Sequence, residues 1–148
     1  MSSASQPINT GQQMTTNYDV SKTFIWGSRT QTESYNNGSY DPVTLAEGTV
    51  MGRVSATGKV VPLQSDASDG SQYPVGILIN PHTVDEGDDA SVAICVGGDV
   101  VEDKVVLVKV GDTLDTVISG RRIRDRLNAD TLGIKLIPST EMTGYDNQ

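Results

Sequence analysis

Short apolar runs alternate with turn-forming segments through the middle of the chain. Three of these runs, at residues 50–54, 60–63 and 75–79, are rich in Val, Ile and Leu. Gly58 lies between the first two runs and can take the positive φ that a tight hairpin turn requires. Asp69-Gly70, between the second and third runs, is typical of a surface loop. Branched side chains bounded by such turns fit a pleated surface, so the pattern predicts a compact β unit.

The same pattern continues towards the C-terminus. Residues 90–96 place apolar side chains at both odd and even positions, which indicates a strand covered on both faces. Cys95 lies in this run and is expected to be a small buried hydrophobic residue. Gly97-Gly98 predicts the next turn. The remaining predicted strands are residues 43–45, 100–101, 105–110 and 132–137.

One helical region is predicted between residues 111 and 132. Two sets of apolar residues have helical spacing, and Gly120 between them ends or kinks the first segment. The first set is Leu114, Val117 and Ile118, and the second is Ile123 and Leu127.

Residues 1–41 are polar, rich in turn-forming residues and without clear periodicity, which is typical of an arm that does not form its own core. Six apolar or aromatic residues stand out in this arm. One interpretation packs them on the core of the domain itself. The other has the arm order against a partner, as a strand on an exposed sheet edge with its aromatic side chains in pockets. These residues are Tyr18, Phe24, Ile25, Trp26, Tyr35 and Tyr40.

Composition and charge limit the classes of function. A chain of 148 residues with 36% apolar residues, 5% aromatic residues and 15 glycines fits one turn-rich β domain with extensions. The net charge of −8 argues against nucleic acid as a partner, because phosphate binding depends on Lys and Arg. No apolar run approaches the roughly 20 residues of a membrane span. The N-terminus lacks the pattern of a signal peptide, so synthesis in a cytoplasm is expected.

No catalytic, cofactor-binding or metal-binding motif is evident. The chain has one Cys and one His, His82, and lacks the phosphate-loop, nucleophile-elbow and zinc-helix patterns. The acidic residues 85–89 admit either a calcium site or a solvated loop, and their spacing does not match the twelve-residue calcium loop. We therefore predict that the protein is not an enzyme.

A basic cluster lies near the C-terminus, in contrast to the acidic body. Nucleic acid is a poor match for it because acidic residues are interspersed and aromatic residues are absent. A solvated face, or a contact with another subunit or an acidic protein surface, fits better. The cluster consists of Arg121, Arg122, Arg124 and Arg126.

Four short segments of the β unit occur in an order that is found in a known family. They are Gly52-Arg53-Val54 followed by Ala56-Thr57-Gly58-Lys59, then Val61-Pro62, then Ser68-Asp69-Gly70, then Val75-Gly76-Ile77-Leu78. This order resembles the head decoration proteins of tailed bacteriophages, of the lambda decoration protein D type. The resemblance is closest over residues 44–110.

The resemblance implies a structural role in the virion. Such a protein would bind the major capsid protein on the outer surface of the expanded head, as a homotrimer at three-fold and quasi-three-fold sites. It would stabilise the head against the pressure of packaged DNA, without a cofactor, a membrane or direct contact with nucleic acid. The alternatives are another virion module, such as a tail, fibre or adhesin component, and a β-rich ligand-binding domain.

These observations predict a mainly β protein built on a small β-clip or barrel-like domain. The domain would span residues 42–137 and include one short C-terminal helix. A long flexible N-terminal arm, residues 1–41, would precede it, and a flexible tail, residues 138–148, would follow it.

Overall fold

The computed structural model describes residues 23–38, 41–128 and 132–138, without the side chains of Ile25 and Trp26. Over these residues the protein is mainly β, with a closed five-strand barrel and one short helix, as predicted. In chain order the elements are β1 (Phe24–Asn36), β2 (Val43–Leu45), β3 (Val50–Arg53), β4 (Val60–Pro62), β5 (Pro74–Leu78), β6 (His82–Val84), β7 (Asp89–Val101), a 3-10 helix (Glu102–Lys104), β8 (Val117–Ile118), β9 (Arg121–Arg122), α1 (Ile123–Leu127) and β10 (Gly133–Ile137).

The barrel strands are ordered β1-β4-β3-β5-β7, and β7 pairs with β1 to close the ring. The β3–β4, β3–β5, β5–β7 and β1–β7 pairs are antiparallel, whereas β1 and β4 are parallel. β10 lies parallel to the C-terminal half of β7. Two further two-stranded antiparallel sheets, β2–β6 and β8–β9, lie outside the barrel.

The three strands of the predicted central unit form where the apolar runs occur. Gly58 turns the chain between β3 and β4 with a φ of 73°. Gly70 has a φ of 103° in the loop between β4 and β5. Both values lie in the left-handed region, where glycine avoids the steric cost that a Cβ would bring. The turn chemistry in the sequence therefore located these strands correctly.

Two buried clusters lie on opposite faces of the central strands, because consecutive residues of a strand point in opposite directions. Val50 and Cys95 belong to one cluster, with helix α1 and β10, whereas Met51 and Ile94 belong to the other, with β1, β4 and the β2–β6 pair. Both faces are therefore covered, as the pattern of residues 90–96 predicts. This double burial explains why the runs are continuously apolar rather than alternating.

The predicted turn at Gly97-Gly98 is wrong, because both glycines lie inside β7. Gly98 has a φ of 112°, and the register between β1 and β7 shifts nearby, between Trp26 and Arg29 and again between Arg29 and Thr30. A Cβ at Gly98 would lie 2.8 Å from the backbone of Gly27. The glycines thus form an irregularity of the bulge type that bends β7 while the strand continues.

The predicted arm boundary at residue 41 does not hold for Phe24–Asn36, which forms β1. This strand pairs with β7 at ten positions, from Phe24 opposite Val100 to Asn36 opposite Asp89. Much of β1 faces solvent, and residues 27–32 are exposed. A half-solvated strand needs few apolar residues, so its sequence has the polar composition of an arm.

Two further predictions are corrected near the C-terminus. Residues 105–110 form no strand: an isolated bridge joins Val106 to Thr49, and Lys109 and Val110 lie in a bend and a turn. The helix is limited to Ile123–Leu127, and Val117–Ile118 forms β8 instead. Val117 is exposed while Ile118 is buried, so the apparent helical spacing arose from a turn followed by a strand. The final predicted strand is present as β10.

Side chains reinforce the barrel where β1 meets β4. The ladder between these strands has a single residue pair, Tyr35 opposite Val60. Arg53 donates a 2.9 Å hydrogen bond to Glu33, whose side chain is 10% exposed. This hydrogen bond from Arg53 holds the pKa of Glu33 below its usual value, while burial opposes the shift. The ion pair therefore connects β1 to β3 across the weakest ladder of the barrel.

Glu33→Gln is expected to lower the free energy of unfolding by about 1 kcal/mol at neutral pH, because it removes this ion pair. A carboxyl group with a lowered pKa in the folded state stabilises the fold above its ordinary pKa, near 4.5. That contribution is lost as the pH falls through the folded-state pKa, so the difference between wild type and variant should shrink below about pH 4.5. Denaturant unfolding from pH 7 to pH 3 measures it. The exposed Glu47→Gln is the control, and a difference independent of pH would contradict the prediction.

Candidate interaction surface

The predicted arginine cluster lies on the β8–β9 hairpin and on helix α1. Ser119 and Gly120 connect the two strands with φ values of 50° and 85°. A two-residue hairpin turn with positive φ at both positions matches the right-handed twist of its strands. The turn brings Arg121 and Arg122 opposite Ile118 and Val117, and the chain then enters α1 with Arg124 and Arg126.

Arg124 connects three elements of this region. Its guanidinium donates hydrogen bonds to Glu102 at 3.0 Å and to Asp115 at 2.8 Å. The hydrogen bond from Arg124 holds the pKa of Asp115 below its usual value, and the two acids raise the pKa of Arg124. Arg124 thereby attaches α1 to the 3-10 helix and to the loop before β8.

Arg122 and Arg126 are also engaged within the chain. Arg122 donates to both carboxylate oxygens of Asp125, at 3.0 and 3.3 Å. Arg126 donates to the carbonyl oxygen of Ile118, and its guanidinium carbon lies 4.8 Å from the centre of the Tyr73 ring. These contacts stabilise the hairpin and helix, so three of the four predicted contact arginines have structural roles.

Arg121 differs from the other three arginines. Its side chain is exposed and makes no ion pair or hydrogen bond with any residue that the structure describes. The guanidinium is therefore available to a carboxylate on another molecule. Val117, which pairs with Arg122 on the same hairpin, is 61% exposed.

The structure places two of the predicted arm residues in the core. Tyr35 is 4% exposed, and burial raises the pKa of its phenol. Phe24 is half-buried and packs against the cluster that contains Val100. Neither ring is presented as a free anchor, so the first interpretation of the arm holds for these two residues. Tyr18 and Tyr40 lie outside the described residues, as do the side chains of Ile25 and Trp26.

An exposed row of valines was missed by the sequence analysis. Val106, Val108 and Val110 are 36%, 49% and 93% exposed, and we call these three residues the valine ridge. Val105, which precedes Val106, and Leu107, which lies between Val106 and Val108, pack against the core. Five of residues 105–110 are apolar, as in a strand that is covered on both faces. The sequence analysis therefore predicted a strand here and did not identify the exposed valines.

Three observations bear on metal binding, on the reactivity of the cysteine and on membrane insertion. No group of three or more His, Cys, Asp or Glu residues suited to a metal ion occurs among the described residues. Cys95 is buried, and this burial raises the pKa of its thiol, which makes the reactive thiolate scarce. Across the described ranges, no helix has the length and apolar character needed to cross a bilayer.

The comparison with known families supplies the deciding observation. The family model for bacteriophage lambda head decoration protein D matches residues 30–116, which is more than half of the chain. The chain belongs to this family. It is a structural protein associated with the phage capsid. The match begins within β1 and ends before β8, so the β8–β9 hairpin lies outside it. A search of curated proteins found no match.

Proposed function

We propose that this decoration protein binds the outer surface of the expanded phage head as a homotrimer. It would occupy three-fold and quasi-three-fold sites on the major capsid protein and stabilise the head against the pressure of packaged DNA. The observation that carries this proposal is the family match over residues 30–116. The protein would be made in the host cytoplasm and then assemble on the virion.

Multivalency is the physical mechanism. A trimer presents three copies of each contact, and linking binding sites raises overall affinity by roughly 10²–10⁴ without any new contact. Strand pairing with a capsid edge would provide each contact with backbone hydrogen bonds. The acidic surface of the body, net charge −8 for the whole chain, would limit non-specific contact with DNA.

We assign the capsid contact to the chain before β1, to the start of β1 and to the segment that follows β1. The candidate anchors are Tyr18, Ile25, Trp26 and Tyr40, whose side chains would enter pockets on the capsid protein. Tyr35 is removed from this set because its ring is buried, and Phe24 because it packs on the core. Removing residues 1–22 leaves every residue of β1 in place.

The first experiment measures mass and capsid binding. Light scattering measures the mass of the purified protein, alone and mixed with expanded empty capsids, against the 15.7 kDa of one protomer. We expect the protein to co-sediment with the capsids at three copies per three-fold site. Deleting residues 1–22, which include Tyr18, should weaken co-sedimentation while the far-ultraviolet circular dichroism remains that of a β protein. Wild-type binding by the shortened protein would refute a role for residues 1–22 in the capsid contact. No binding by the full chain would refute the proposed function.

Arg121 is the candidate for a contact between subunits. Arg121→Glu reverses a charge without breaking an ion pair among the described residues, unlike a reversal at Arg124. We expect the variant to weaken trimer formation, as seen in the mass on dilution. Lys135→Glu, at an exposed position on β10, is the matched control. An unchanged mass for Arg121→Glu would remove this contact.

A further inference from the structure

A buried asparagine amide joins the end of β1 to the loop between β6 and β7. Asn37 is 1% exposed. Its side-chain nitrogen Nδ2 donates to the carbonyl oxygens of Asp41, Val84 and Asp85, at 2.9, 2.8 and 3.2 Å. All these acceptors are carbonyl oxygens, so the amide nitrogen of the side chain faces them and the amide oxygen does not. We call this arrangement the Asn37 cage.

The backbone of Asn37 makes the same connection. Its N–H donates to the Asp88 carbonyl oxygen at 3.0 Å, and its own carbonyl oxygen accepts from the Gly87 N–H at 2.9 Å. The Asp88 N–H donates to the Asp85 carbonyl oxygen at 3.1 Å and closes a turn, in which Gly87 has a φ of 72°. The turn therefore binds both the side chain and the backbone of Asn37.

The residue after Asn37 makes this amide chemically reactive. Asn37-Gly38 is the only Asn-Gly pair in the chain. The backbone nitrogen of Gly38 can attack the Asn37 Cγ atom, because glycine has no side chain to hinder ring closure. The new N–Cγ bond forms as the Cγ–Nδ2 bond breaks, and the proton of the Gly38 N–H leaves with the ammonia. Water then opens the succinimide ring and gives aspartate or isoaspartate.

The closed cage opposes this reaction in three ways. Its hydrogen bonds restrict rotation of the side-chain amide, and burial excludes the water that carries protons and opens the ring. The product is also disfavoured, because a carboxylate has no N–H to donate and would face the carbonyl oxygens of Asp41, Val84 and Asp85. Conversion therefore requires the cage to open.

We propose that Asn37 is a self-modification site that the fold keeps closed, and that it is converted to aspartate or isoaspartate in molecules whose cage has opened. The change is one-way, because aspartate brings a charge into a buried site lined by carbonyl oxygens. Isoaspartate adds a carbon to the main chain between the groups that bind Asp88 and Gly87. Converted molecules keep the end of β1 detached from the β6–β7 loop. This chemistry belongs to the chain itself and does not depend on capsid binding.

Mass spectrometry of the full-length protein, incubated at neutral pH and sampled over time, measures the conversion. Asn37 is expected to deamidate about tenfold or more slowly than in a synthetic peptide of residues 33–42, because only the open fraction of the protein reacts. Isomerisation at Asp69-Gly70 leaves the mass unchanged and is not counted. Conversion in the folded protein at the rate of the peptide would overturn the proposal.

A matched pair of glycine variants tests whether the cage controls the reaction. Gly87 and Gly58 have φ values of 72° and 73°, and a Cβ would meet no atom within 4 Å at either position. Alanine brings the same left-handed strain to both, but only Gly87→Ala acts on the turn that binds Asn37. We expect Gly87→Ala to accelerate conversion about fivefold or more and Gly58→Ala to stay near the wild-type rate. Equal rates for the two variants, whether raised or unchanged, would overturn the proposal.

A third variant tests whether the closed structure rejects the product. Asn37→Asp introduces the aspartate directly, and Asn80→Asp introduces the same charge at an exposed position. We expect a lower thermal midpoint, or failure to fold, for Asn37→Asp alone. Equal midpoints would show that the cage accepts the carboxylate and would overturn the one-way change. Since the rate measurements use proteins with Asn37 in place, they test the proposal even if Asn37→Asp does not fold.

Discussion

Replacing Ile94 with alanine is expected to lower the free energy of unfolding by about 2–5 kcal/mol. Ile94 is fully buried in β7, in the cluster that includes Met51 and Leu78. Its side chain covers Gly76, where a Cβ would lie only 2.8 Å from the Ile94 Cδ1 atom. Because Gly76 has no side chain to move into the space, the cavity left by alanine should persist.

A graded series checks this result by denaturant unfolding. Ile94→Val removes one methyl group and is expected to cost about 0.5–1.5 kcal/mol. Val117→Ala removes two methyl groups from an exposed position, and we expect a change within about 0.5 kcal/mol. A loss below about 0.5 kcal/mol for Ile94→Ala would show that the core refills the cavity.

Gly52→Ala is expected to destabilise the barrel by about 1–3 kcal/mol, or to prevent folding, although it adds a single methyl group. A Cβ at Gly52 would lie 2.7 Å from the Ser71 carbonyl carbon and 2.9 Å from its Cα, and still closer to the Ser71 oxygen. These are backbone atoms, so relief requires movement of the whole loop.

The loop against Gly52 has little freedom to move. Ser71 is buried, and its hydroxyl and N–H both donate to the Asp69 carboxylate, at 2.6 and 3.0 Å. Gly38→Ala is the matched control, because the nearest atom to its Cβ would be 3.7 Å away and its φ is not positive. Thermal unfolding compares the two variants. Equal midpoints for both would mean that the loop yields at little cost.

This close packing also explains why the sequence resembled its family. The segments that carried the resemblance include Gly52 and Asp69-Gly70, and the structure brings them together. A Cβ at Gly70 would meet the Ser55 hydroxyl and lie 2.8 Å from the Arg53 carbonyl oxygen. Residues required by such backbone contacts leave a recognisable pattern, so the family and the central strands could be predicted from the sequence.

The wrong predictions concern elements that are determined by tertiary contacts. β1 is stabilised by ladder hydrogen bonds to β7, and backbone hydrogen bonds leave no signature in side-chain composition. The β8–β9 hairpin was predicted to be helical because Leu114, Val117 and Ile118 have helical spacing, although the positive φ at Ser119-Gly120 turns the chain back. The ion pairs of Arg124 join residues 9 and 22 positions away, a partnership that spacing along the chain does not reveal.

The partners of β7 have a consequence for how the protein is made. β1 is synthesised before the other barrel strands, yet most of its ladder is with β7, the last of them, and β5 also pairs with β7. Until β7 has emerged, the earlier strands have exposed edges, which is the condition that favours aggregation or chaperone binding. A product truncated before Asp89 lacks β7 and therefore cannot close the barrel. Such long-range pairing also slows folding, so the yield of soluble protein should respond to translation speed and growth temperature.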